Sequence, residues 1–153
     1  MKIVFVTGPA YSGKSIYTAR EYPEASVIDM RTFEYMMEAA ESNEELEEIA
    51  ENSMKYCREA LLHMIRKGGE DETIVLKHPM LMKQTREFYL EAIKEITDCP
   101  VECAVMLPDL VQMKELTGNE TSLLNLYEYE RNILEMPDVS EGFASVEAVH
   151  SIL

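Results

Sequence analysis

Short continuous apolar runs alternate along the chain with longer segments whose apolar residues recur every three or four positions. Lys2–Thr7 (KIVFVT) is apolar and β-branched without polar alternation, the pattern of a strand buried on both faces of a parallel sheet. Thr73–Lys77 (TIVLK) and Val101–Leu107 (VECAVML) repeat it, and Ala25–Asp29 (ASVID) and Ser145–Val149 (SVEAV) are shorter runs read as a second and a fifth strand. The pattern predicts a helix over Ser15–Tyr22, ended by Pro23, and one or two helices within Arg31–Lys67, stopped by Gly68-Gly69. A break falls near Ser42-Asn43, where an N-cap residue precedes Glu44 and Glu45. Further helices are expected over about Lys83–Thr97, from Asp109 as cap to about Leu116, and over Thr121–Glu135. Strands alternating with helices imply crossover connections, hence an α/β fold: one domain over 1–153, with a mostly parallel five-stranded sheet between two layers of helices.

Charge narrows the partners. The 153 residues carry 14 Lys+Arg against 29 Asp+Glu, a net −15, which repels phosphate backbones and anionic membrane surfaces. Nucleic acid is therefore an unlikely partner by charge alone, and no apolar run approaches the ~20 residues of a membrane span. The first apolar run is also too short for a signal-peptide core, so a cytoplasmic protein is expected. Cys57, Cys99 and Cys103 match no disulfide scaffold or zinc spacing and are expected as buried thiols. The charge is uneven: residues 1–20 hold three bases and no acid, whereas 21–60 carry a net −9 and 101–153 a net −8. Any anion is best held by the first twenty residues.

Those residues contain Gly8-Pro9-Ala10-Tyr11-Ser12-Gly13-Lys14-Ser15, which satisfies G-x-x-x-x-G-K-[ST] at every fixed position, directly between a predicted strand and a predicted helix. The glycines let the backbone curl so that successive N–H groups point at phosphate oxygens, and the following helix adds its positive end. Candidate nucleotide-binding residues are Gly8, Ala10, Tyr11, Ser12, Gly13, Lys14, Ser15 and Ile16, with ATP as the nucleotide. Lys14 is expected on the β- and γ-phosphates and Ser15 on Mg²⁺. The alternative is a glycine-rich turn with an exposed lysine.

With the order of elements, this motif resembles the P-loop nucleoside and polynucleotide kinases, the adenylate-kinase-like branch that includes small zeta-toxin-like domains. The similarity extends to Val27-Ile28-Asp29, a short strand ending in an acid, and to Met136–Phe143 (MPDVSEGF), which looks like the segment near the end of polynucleotide-kinase-like domains. The resemblance implies a sheet ordered 2-3-1-4-5 and transfer of the γ-phosphoryl of Mg-ATP to a hydroxyl acceptor. In it, Asp29 acts beside Lys14 as a catalytic residue, the base toward the acceptor; the other reading of Asp29 is a helix cap.

Two departures stand out. The third strand ends in Lys77, followed by His78-Pro79, where such kinases usually carry an acid, and Gln112–Glu120 holds only Lys114 where lid arginines are expected. Lys77 either stands in for a missing arginine near the γ-phosphate or marks a site that has lost catalysis. The second case makes the protein a nucleotide-binding module acting through a partner. His78 reads as a loop histidine rather than a catalytic one, and Arg86 as reaching the pocket mouth or lying on a solvated face beside Glu87. The glutamates from Glu41 to Glu51 form a solvated helix face or a docking site for a basic protein partner. Met30, Met36, Met37, Met80 and Met82 flank the strand ends where the acceptor would sit; they read either as core filler or as the lining of an apolar, adaptable pocket for a small acceptor.

Overall fold

The structure, a computed structural model, describes residues 1–29, 36–37 and 39–152. Met30 and the expected helical start at 31–35 lie outside the described residues. Five strands form one parallel sheet: β1 (Lys2–Thr7), β2 (Ser26–Asp29), β3 (Thr73–Lys77), β4 (Val101–Met106) and β5 (Ser145–Val149), ordered β2-β3-β1-β4-β5. Five α-helices lie wholly within the described residues: α1 (Lys14–Glu21), α2 (Asn43–Lys67), α3 (Lys83–Lys94), α4 (Leu110–Thr117) and α5 (Thr121–Ile133).

The unbroken apolar runs are explained by burial on both faces. Ile3 and Phe5 of β1 face a core shared with Leu61 of α2 and Tyr89, Leu90 and Ile93 of α3. Val4 and Val6 face the opposite core, with Tyr17 of α1, Met106, Val149 and Ile152. At the edges, β2 and β5 are only partly buried, which accounts for their weaker sequence signal.

The expected caps are present. The Ser42 side chain accepts from the Glu45 N–H at 3.1 Å and Asp109 from the Gln112 N–H at 2.9 Å. α3 stops at Lys94 rather than Thr97, because the backbone tightens there, with the N–H groups of Ile96 and Thr97 both donating to the Ile93 carbonyl. α5 ends at Ile133 rather than Glu135. Cys57 and Cys103 are buried, but Cys99, expected to be buried as well, is only partly covered at the turn before Pro100. The glutamates from Glu41 to Glu51 are all exposed, as a solvated face requires. No described helix is long and apolar enough to cross a membrane.

The strand order locates the site. From β1 the chain crosses to β2 on one side and later to β4 on the other, so β1 lies between β3 and β4 at the switch point of the sheet. Crevices in open α/β sheets form at the carboxyl ends of strands at such a point, and the Gly8–Ser15 loop leaves β1 there.

Candidate phosphate-loop site

The loop backbone needs its two fixed glycines. Gly8 has φ 136°, and a Cβ there would stand 2.7 Å from the Met106 carbonyl oxygen of the neighbouring strand. Gly13 has φ 92°, and its Cβ would meet Ile152 at 2.9 Å. Between them Tyr11 also takes a left-handed conformation, φ 62°, with its side chain half exposed. Ser12 is buried, its hydroxyl donating to the Pro9 carbonyl at 2.6 Å, which closes the loop on itself. α1 then starts at Lys14 with neither a side-chain cap nor an acid in its first turn, so its amino end keeps its affinity for anions. Ile16 is exposed on that turn. Curled backbone, helix amino end and lysine together fit a polyphosphate.

The Lys14 ammonium folds back across the loop, donating to the carbonyls of Gly8 at 2.9 Å and Pro9 at 2.7 Å. The Ala10 N–H donates to the Glu130 carboxylate of α5 at 2.8 Å. Sequence reasoning missed Glu130: it is one of two glutamates on its helix, with Glu128, and nothing local marks the one that reaches a loop 120 positions away.

Register brings the remaining groups together. Lys77 pairs with Val6 of β1 on one side and with Asp29 of β2 on the other. Its Nζ donates to Ser15 Oγ at 2.7 Å and lies 3.6 Å from the Asp29 carboxylate. Asp29 is thus one lysine away from the phosphate loop.

This seat bears on Ser15 as a metal ligand. A divalent ion on Ser15 Oγ at ~2.1 Å would stand no farther than about 5 Å from the Lys77 ammonium. The repulsion is about 7 kcal/mol at an effective dielectric of ~20. Among the described residues no group of three or more His, Cys, Asp or Glu side chains is placed to hold a metal ion. The residues therefore do not fit a divalent cation while Lys77 holds this place.

Behind the loop, His78 is buried and its Nδ1 accepts the Met80 N–H at 3.0 Å, so the proton sits on Nε2, which has no partner. Burial, with the nearby Lys14 charge, pushes its pKa down to about 3, so it is neutral. Its ring packs edge-on against Tyr89, centroids 5.7 Å apart. It is a loop histidine, as expected, in the turn after β3, but a buried one.

Arg86 matches neither sequence expectation. It is fully buried, Nε and Nη2 donating to the two Glu141 carboxylate oxygens at 2.7 and 3.2 Å and Nη1 to the Met80 carbonyl at 2.9 Å. Glu141 also accepts the Asp138 N–H at 2.9 Å, and Phe143 packs edge-on against Phe5 at 5.6 Å. The Met136–Phe143 segment therefore clamps the turn that follows Lys77 at the end of β3 and begins with His78. Thr7 Oγ1 and the Gly8 N–H hold the same turn through the Pro79 carbonyl. Met80 is buried and Met37 packs on the same core, whereas Met36 and Met82 are exposed, so these four do not line one surface. Lys114 is exposed on α4.

No family model matches the chain, and no curated protein does. Solved structures do match. The chain is similar to an unliganded sugar kinase from Janibacter sp. HTCC2649, at 16% identity and TM-score 0.66 over 98% of this chain and 85% of that one. A putative kinase from Chloroflexus aurantiacus J-10-fl matches at 11% identity and TM-score 0.70, covering 97% and 84%. Kti12 from Chaetomium thermophilum, solved in complex with ADP-AlF3, matches at 16% identity and TM-score 0.59, covering 97% and 88%. At such identities the likeness is one of fold. The chain shares the fold of these three structures, and in it the five-stranded parallel sheet ordered 2-3-1-4-5 carries the Gly8–Ser15 loop at its switch point.

Proposed function

We propose that the protein binds a nucleoside triphosphate on Gly8–Ile16 and transfers its γ-phosphoryl group to a hydroxyl of a small acceptor at the carboxyl ends of β2 and β3. The observation that carries this reading is Asp29. Its carboxylate stands 3.6 Å from a lysine that itself touches the loop serine, which supports a role as proton acceptor near the place where the phosphates would bind. In the reaction the acceptor oxygen attacks the γ-phosphorus, the bond to the β-phosphate oxygen breaks, and the hydroxyl proton passes to Asp29. Lys14 and Lys77 supply positive charge against the transferring group. The net charge of −15 favours a small acceptor over a polynucleotide, against the resemblance to polynucleotide kinases. Labelled ATP incubated with a panel of small alcohols, sugars and nucleosides is expected to give a phosphomonoester. No transfer above a Lys14→Ala control would overturn the reading.

A second reading, a nucleotide-binding module without transfer that acts through a partner, is favoured by the Glu130 carboxylate on Ala10 and by the lysine that ends β3. It predicts nucleotide binding with turnover below about 1 s⁻¹, the lower end of ordinary kinase rates.

A further inference from the structure

Lys77 occupies a position that calls for a cation of some kind. Three features converge on it: the Ser15 hydroxyl at the start of α1, the Asp29 carboxylate at the end of β2, and the mouth of the phosphate loop. Its side chain is only 12% exposed. The backbone that carries it is fixed by parallel pairing on both sides, Val6↔Lys77 and Asp29↔Lys77, so its stem can project only at this end of the sheet. The following turn is clamped by Arg86 and Thr7, so the position does not depend on a mobile loop.

An ammonium between a hydroxyl and a carboxylate has the ligands and the sign of charge of a small metal ion, but it is covalently tethered. We propose that Lys77 takes the place of the divalent cation, so that the protein binds nucleoside di- and triphosphates without Mg²⁺. The inference rests on the reading that Gly8–Ile16 binds nucleotide, and it concerns what neutralises the phosphates there. The ammonium donates to Ser15 Oγ at 2.7 Å and retains further N–H donors. A phosphate oxygen arriving above the loop meets two fixed ammoniums, Lys14 and Lys77, and needs no ion recruited from solution. A compact ammonium point charge suits this role better than a planar guanidinium.

The test is equilibrium binding of ADP and of a non-hydrolysable ATP analogue to the full chain by calorimetry, once with MgCl₂ and once with EDTA. The wild type is expected to differ by less than about threefold between the two conditions. Lys77→Asp, which puts an acid at the end of β3, is expected to bind at least about tenfold more tightly with Mg²⁺ than with EDTA. Lys77→Met is expected to lose affinity in both buffers and keeps the test open if the aspartate variant does not fold. A wild type that loses affinity tenfold or more in EDTA overturns the proposal while leaving nucleotide binding intact. A wild type that binds in neither buffer overturns the underlying nucleotide reading, and this proposal with it.

Discussion

The backbone N–H of Ala10, within the phosphate loop, donates to the Glu130 carboxylate at 2.8 Å, so an acid from α5 holds a group that the loop would otherwise offer to a phosphate. Carboxylate and phosphate are both anions seeking the same donor, and a bound phosphate would face the Glu130 charge at close range. Glu130→Ala is therefore expected to tighten ADP binding, by up to about tenfold. Glu130→Gln keeps an acceptor without the charge and should fall between. Calorimetry at fixed salt reads both, and weaker binding by the alanine variant would mean that Glu130 supports the loop instead of competing for it.

Arg86 and Glu141 form a buried ion pair, with side chains 0% and 3% exposed. Removing one partner leaves an uncompensated charge in the core, at a cost of about 3–5 kcal/mol, whereas replacing both with apolar residues of similar volume is often neutral. Arg86→Met and Glu141→Leu are each expected to lower the denaturation midpoint sharply, and the double variant to recover most of the loss. Strictly additive losses in urea titrations would contradict this account.

His78 gives the fold a defined pH dependence. The folded protein keeps it neutral down to about 3, while the unfolded chain takes up the proton near 6.5. Its contribution is thus whole above pH 6.5 and is lost progressively as the pH falls toward about 3, because only the unfolded state gains the proton. The slope is about 1.4 kcal/mol per pH unit across that window. His78→Asn can keep an acceptor for the Met80 N–H and cannot titrate. Its stability is expected to change less steeply between about pH 4 and about pH 6, by up to one proton's worth. Equal slopes for the two proteins would remove His78 from the explanation.

The cysteines should separate by reactivity. Burial is the largest cause pushing the Cys57 thiol up to about 11 and the Cys103 thiol up to about 12, so neither offers thiolate at neutral pH. Cys99 is partly exposed. Iodoacetamide on the native protein is expected to label Cys99 first, with the other two reacting only in denaturant, as mass spectrometry of tryptic peptides would show. Early labelling of Cys57 would mean that α2 opens readily from the sheet.

What the sequence by itself determined is local in origin. Unbroken β-branched runs are readable as doubly buried strands because such a strand has no polar face to show. The phosphate loop is readable because its glycines and its lysine satisfy conformational and charge demands within eight consecutive residues, and Ser42 and Asp109 are readable as caps for the same reason. Arg86, Lys77 and Glu130 could not be assigned in this way. Their partners lie 55, 62 and 120 positions away, and which side chain meets which depends on strand register and on how helices settle over the sheet. A lysine at the end of a strand looks the same in sequence whether it faces solvent or a serine hydroxyl. Only parallel pairing of β3 with both β1 and β2 decided that Lys77 sits between Ser15 and Asp29, because that pairing fixes the direction and height at which its side chain leaves the sheet.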